Sequence, residues 1–184
     1  MTENVRYIQM EHMEIERKWL IREVPEDLGQ FECIEMEQAY LNISPTVRIR
    51  RENEAYYLTY KGIGENDLAH EEYNLPITAE AFEHMLPKHD GRVIRKKRYV
   101  IPVSGTELKI ELDIFEEPFR PLKVAEVEFP SLEEAEAFRG PDWFGPDVTH
   151  DPRFKNARMA IDTDTDPGIM CAEYETDLSG KDLS

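Results

Sequence analysis

Glu14-Ile15-Glu16-Arg17-Lys18-Trp19-Leu20-Ile21 decides how the rest of the chain is read. Side chains alternate between the faces of a β-strand, so Glu14, Glu16 and Lys18 share one face. Two carboxylates and an ammonium make a poor hydrophobic core. They make a good start on a site for a divalent cation and a phosphate. The pattern recurs at Arg48 and Arg50, Thr59 and Lys61, Lys96 and Arg98, Glu111 and Asp113, and Glu126 and Glu128. Opposite them stand Ile15 and Trp19, Val47 and Ile49, Leu58 and Tyr60, Ile110, Leu112 and Ile114, and Ala125, Val127 and Phe129. This is a sheet with one wet face and one buried face. A merely solvated face mixes its signs. Mostly one-signed pairs, spread over several strands, describe one shared charged space. Arg17, Arg51, Arg95 and Lys97 break the apolar faces and are expected to snorkel to the surface.

The alternation places strands near 13–21, 34–42, 46–51, 55–61, 68–76, 93–101, 107–114 and 123–129. Tyr56 to Tyr73, broken by Gly62-Ile63-Gly64-Glu65-Asn66-Asp67, reads as a hairpin with a mobile loop. Thr78 to Pro87 carries an apolar stripe of Ala81, Phe82, Met85 and Leu86 and predicts a helix. Ser131-Leu132-Glu133-Glu134 has the capping-box spacing of a second helix, which Gly140-Pro141 ends. A short helix is expected over Asn156 to Ile161. The domain reading is an N-terminal extension over 1–12, one domain over 13–160, and an acidic, disordered tail over 161–184.

The net charge of −17 argues against a nucleic-acid or anionic-membrane surface. It does not exclude a phosphate ligand, because the paired cations converge while much of the excess acid lies in the tail. No apolar run approaches a membrane span. Cys33 and Cys171 form no metal or redox motif, and a reducing cytoplasm is the expected compartment.

In order, these motifs resemble the CYTH superfamily, the triphosphate tunnel metalloenzymes. The resemblance begins at Glu14, Glu16 and Lys18 and runs through Val47-Arg48-Ile49-Arg50, Thr59-Tyr60-Lys61 and Glu71-Glu72-Tyr73. It continues through Lys96-Lys97-Arg98-Tyr99, Glu111-Leu112-Asp113, Ala125-Glu126-Val127-Glu128 and Asp147 to Phe154. It implies an α+β fold: a closed antiparallel eight-stranded β-barrel, or tunnel, with a charged lumen and helices packed outside. It implies a metal-dependent triphosphatase whose small-molecule substrate, with inorganic tripolyphosphate the first choice, binds inside the tunnel. Class IV adenylate cyclase and thiamine triphosphatase stay open as alternatives, as does a non-catalytic polyphosphate or nucleotide sensor.

Phosphate recognition needs cations that donate hydrogen bonds. Arg48, Arg50 and Arg98 offer planar forks; Lys18, Lys61 and Lys96 offer compact charges. The resemblance implies that all six contact the triphosphate and that Lys18 has a catalytic role. Mg²⁺ or Mn²⁺ takes oxygen ligands. The resemblance implies Glu14, Glu16, Asp113, Glu126 and Glu128 as metal ligands, with Glu72 and Glu111 as secondary candidates. Asn74 departs from the family pattern, which has an acid at that position. His70 and His150 lie near turns, and His84 and His89 lack metal-ligand spacing.

Overall fold

A computed structural model of the protein describes residues 15–62, 72–164 and 166–179. Nine strands form one antiparallel sheet: β1 Ile15–Ile21, β2 Glu32–Asn42, β3 Thr46–Glu52, β4 Ala55–Lys61, β5 Glu72–Pro76, β6 Asp90–Pro102, β7 Lys109–Phe115, β8 Lys123–Phe129 and β9 Phe144–Asp147. Four helices accompany it: α1 Ala79–Met85, α2 Leu132–Ala137, α3 Asn156–Ile161 and α4 Pro167–Ser179. Glu14, the extension over 1–12, His70 and most of the Tyr56–Tyr73 hairpin loop lie outside the described residues.

The strand order is β5-β4-β3-β2-β6-β7-β8-β1-β9. This corrects the expected closed eight-stranded barrel: among the described residues there are nine strands, and the two ends of the sheet do not pair. β9 occupies the outer edge of β1, pairing Trp19 with Asp147 and Ile21 with Phe144. At the other end β5 spans five residues and closes on Pro76, which has no N–H to donate. The sheet nevertheless curls. Three strands separate β1 from β2, which in a flat sheet would be about 19 Å, yet the Tyr40 phenol of β2 lies in the fields of Lys18 on β1 and Glu126 on β8. A tunnel-like trough results.

Two apolar clusters lie on the outer face. Trp19, Ile101, Ile110, Leu112, Ala125, Val127, Phe129 and Phe144 pack with Ala135 of α2. Ala39 and Ile49 pack with Phe82 of α1. The Ser131 hydroxyl accepts from the Glu134 N–H at 3.2 Å, and Thr78 accepts from Ala81 at 3.2 Å; both satisfy orphan donors of a first turn. Arg17 reaches Asp147 at 2.5 Å while lying over the Trp19 ring. Arg95 and Arg51 flank the buried Glu37 at 2.6 and 3.7 Å.

The third cluster lies on the inner face. Leu20, Tyr40, Ile94, Phe115 and Val124 meet Phe119, Leu122, Val148 and Phe154, with Met159 and Ala160 of α3 and Met170 of α4. Gly91 lets α3 seat on β6: its φ is +68°, and a Cβ there would stand 2.1 Å from the Ala160 carbonyl oxygen. The expected disordered tail is thus corrected over 167–179, which is a helix with Met170 only 2% exposed. A segment with little apolar content can still order when a few side chains find a ready hole.

Candidate active site

Strand register builds the site. On the inner face β1 presents Glu16, Lys18 and Leu20, and β8 presents Glu128, Glu126 and Val124 directly opposite them. β6 presents Arg98, Lys96 and Ile94, and β7 presents Glu111, Asp113 and Phe115. Each of these strands therefore runs from charged to apolar in the same direction. One end of this wall is polar, and the other is plugged by the inner cluster.

A dense ion network fills the polar part. Lys18 Nζ donates to Glu126 Oε1 at 2.6 Å and sits 3.1 Å from Glu16. Arg98 donates through Nε and Nη2 to the two oxygens of Asp113, both at 2.7 Å, and through Nη2 to Glu126 Oε2, also at 2.7 Å. Arg98 also pairs with Glu111, and Lys96 pairs with Asp113. Asp113, Lys96, Lys18 and Glu126 are all buried. Burial disfavours the Lys18 ammonium, but Glu126 and Glu16 outweigh it and hold its pKa well above the usual lysine range. Burial likewise opposes the Glu126 carboxylate, but Lys18, Lys96 and Arg98 hold it well below the usual range. Burial pushes Glu111 up, against the pull of Arg98.

The facing wall carries the other cations. Tyr40 and Gln38 of β2 lie in register with Arg48 and Arg50 of β3, and Arg48 with Thr59 of β4. Gln38 Nε2 donates to the Tyr40 hydroxyl at 3.3 Å, and Arg48 hydrogen-bonds to the same phenol. Burial raises the Tyr40 pKa despite Arg48 and Lys18, so its O–H stays intact at neutral pH. Thr59 donates to Asn74 Oδ1 at 2.6 Å. Arg50 pairs with Glu52 at 2.8 Å, and Lys61 lies two residues beyond Thr59 on the same face.

The structure thus brings Lys18, Lys96, Arg98, Glu16, Glu111, Asp113 and Glu126 into one network and places Arg48 at its edge. Arg50 and Lys61 line the facing wall. Glu128 is exposed, two residues from Glu126. Glu14 and the Glu72 side chain lie outside the described residues. Among those described, no group of three or more His, Cys, Asp or Glu side chains is gathered as a metal cluster. Asp113, expected with the metal ligands, has both oxygens engaged by Lys96 and Arg98. Thr59 is legible in the sequence as the same-face partner of Lys61, but Tyr40 and Gln38 are not marked by paired charges. Their signal is the same inward parity, carried by uncharged polar groups inside buried strands.

Comparison with known proteins gives the family. The CYTH domain family model matches residues 12–143, and the chain belongs to that family. The inorganic triphosphatase of Nitrosomonas europaea is 38% identical over 152 residues, covering 80% of this chain and 97% of that protein. The inorganic triphosphatase of Acetivibrio thermocellus is 32% identical over 149 residues, covering 79% and 92%. A solved inorganic triphosphatase structure superposes with a TM-score of 0.64 at 33% identity, covering 83% of this chain and 97% of that one.

Proposed function

We propose that this protein is a metal-dependent inorganic triphosphatase that binds tripolyphosphate along the charged trough. One observation carries the reading: Lys18, Lys96 and Arg98 converge on one wall, and Arg48 faces them beside Tyr40. Four cations around a narrow space match a chain of phosphoryl groups better than a solitary phosphate. The similarity to two inorganic triphosphatases supports the same substrate.

A hard divalent cation fits the polar end. Glu16 and Glu128 stand directly opposite on adjacent antiparallel strands, so their carboxylates offer oxygen ligands at one level of the trough. Glu16 and Glu128, with Glu14, would hold Mg²⁺ or Mn²⁺; Glu126, expected with them, has both oxygens engaged by Lys18 and Arg98. When bound, the ion supplies charge neutralisation and polarisation of phosphoryl oxygens. Asp113 fits a different task, fixing Lys96 and Arg98 in place. Glu111 does the same for Arg98, and Glu72 stays a secondary metal candidate.

The side chains supply the rest. Arg48, Arg50 and Arg98 hold phosphate oxygens by charge-assisted hydrogen bonds, with Lys61 and Lys96 as point charges. Lys18 keeps its proton, so it serves as a donor to charge developing on a transferring oxygen and not as a base. Tyr40 keeps its proton too and directs an O–H at the same space. Catalysis is positioning and electrostatic stabilisation, the general demand of phosphoryl transfer.

The test is incubation with tripolyphosphate, ATP or thiamine triphosphate, with Mg²⁺, with Mn²⁺, or with a chelator. Phosphate release from tripolyphosphate, abolished by the chelator, is expected. Cyclic AMP and pyrophosphate from ATP, with tripolyphosphate untouched, would replace the hydrolase with a cyclase. Binding without turnover would make the protein a sensor.

A further inference from the structure

We infer that the C-terminal helix α4 is a positioning element of the phosphate site, holding both Tyr40 and the main chain of Lys18; the inference rests on the triphosphatase reading above. Two separate routes lead from the helix to the site. The first is apolar. Met170 belongs to the same buried cluster as Tyr40, Leu20 and Val124, and Cys171 and Tyr174 pack against that cluster. Tyr40 is the member of the cluster that carries its hydroxyl into the trough.

The second route is polar. The Tyr174 hydroxyl donates to Asp151 Oδ2 at 2.8 Å. Arg153 joins Asp151 at 2.7 Å to Glu173 at 2.6 Å. Asp151 ends the short segment that holds β1. In that segment Thr149 Oγ1 accepts from the Lys18 N–H at 3.0 Å, and the Val148 N–H donates to the Lys18 carbonyl at 2.8 Å. The Asp151 N–H in turn donates to the Val148 carbonyl at 3.0 Å. The helix is therefore pinned to the loop that fixes the main chain of Lys18.

Docking and helix formation are one event. A helix of this length is marginal alone in water. Asp166 caps it, accepting from Gly168 at 2.7 Å, but the buried anchor is Met170. Undocking would open a hole in the cluster that contains Tyr40 and loosen the Asp151 end of the loop. Displacing a positioned group by about 1 Å can cost about a hundredfold in rate. The loss should fall on kcat, because the cations that bind the substrate stay on their strands.

The experiment uses full-length Met170→Ala, Met170→Leu and Tyr174→Phe proteins. It measures kcat and KM for tripolyphosphate with Mg²⁺, and amide hydrogen exchange across β1 and β2. Met170→Ala should lower kcat about tenfold or more with KM nearly unchanged. Exchange should quicken at Lys18 and around Tyr40, but not in β7 near Leu112, which packs in the α2-covered cluster. Met170→Leu should restore both. If Met170→Ala does not fold, Tyr174→Phe, which keeps the packing, should show the same pattern more weakly. Wild-type kcat and exchange in a folded Met170→Ala protein would overturn the inference. So would a rise in KM alone. If the wild-type protein does not hydrolyse tripolyphosphate, the triphosphatase reading fails, and exchange at Lys18 and Tyr40 still decides the role of the helix.

Discussion

Carboxylates of one type do opposite work in this site, and removing their charge separates them. Glu126 is buried between Lys18 and Arg98, so Glu126→Gln takes the buried carboxylate from both cations and leaves Lys18 with Glu16 alone. The metal-free protein should lose about 3–5 kcal/mol, read as a large drop in melting temperature. Asp113→Asn should do the same, since it takes the carboxylate partner from the buried Lys96. Glu128 is exposed, so Glu128→Gln removes a charge that solvent already screens. It should leave the metal-free melting temperature nearly unchanged while divalent-dependent turnover collapses. A Glu128→Gln protein with full turnover would remove Glu128 from the ligand set. Tyr40→Phe keeps the ring in the inner cluster and deletes only the hydroxyl. It should lower kcat about a hundredfold, as loss of one preorganised donor does, with the fold intact by circular dichroism. The sequence showed the sign of each residue but not its partner, which is why Asp113 was grouped with Glu16 and Glu128.

Among the elements, period-two alternation was enough to place eight strands close to their observed bounds. β9 was missed because Phe144-Gly145-Pro146-Asp147 is short and broken by glycine and proline, with no alternation to read. Its role, capping the edge of β1, depends on a partner distant in sequence. The helices α1, α2 and α3 were legible from an apolar stripe, a capping box and a short run. α4 was not, because its burial falls on Met170, with help from Cys171 and Tyr174, and no broad apolar stripe marks it. The seating of α3 on β6 offers a further test. Gly91→Ala adds a Cβ 2.1 Å from a carbonyl oxygen at positive φ. It should cost about 2 kcal/mol or more, measured by denaturant unfolding.

For the molecule as a whole, buried ion pairs tie stability to pH. Glu126, Asp147 and Asp151 all have folded pKa values below their ordinary ones, owing to Lys18, Lys96 and Arg98, to Thr149 and Arg17, and to Arg153 respectively, against the opposing effect of burial. The unfolded chain therefore takes up protons at these groups before the folded one does. Their stabilisation is present at neutral pH and is lost as pH falls below about 4.5, near the ordinary carboxylate values. Glu111, whose pKa is raised, works the other way. Melting temperature should hold from about pH 6 to 8 and fall steeply below about pH 4.5. In Glu126→Gln the acid limb should flatten. A melting temperature that rises on acidification would contradict the buried ion network.

The sequence by itself determined which residues face inward, because strand alternation is local and needs no knowledge of partners. It therefore determined that one face of the sheet is charged and that the family is CYTH. Tertiary structure alone decided that, among the described residues, the sheet stays open with β9 on its edge, and that the inner face ends in an apolar plug. It also decided that Glu126 and Asp113 hold cations and that an acidic C-terminal helix docks on the inner cluster. Each of these depends on which distant strands meet and in what register, and on the balance between desolvation and charge at the point of contact. Such terms exist only once the chain is folded.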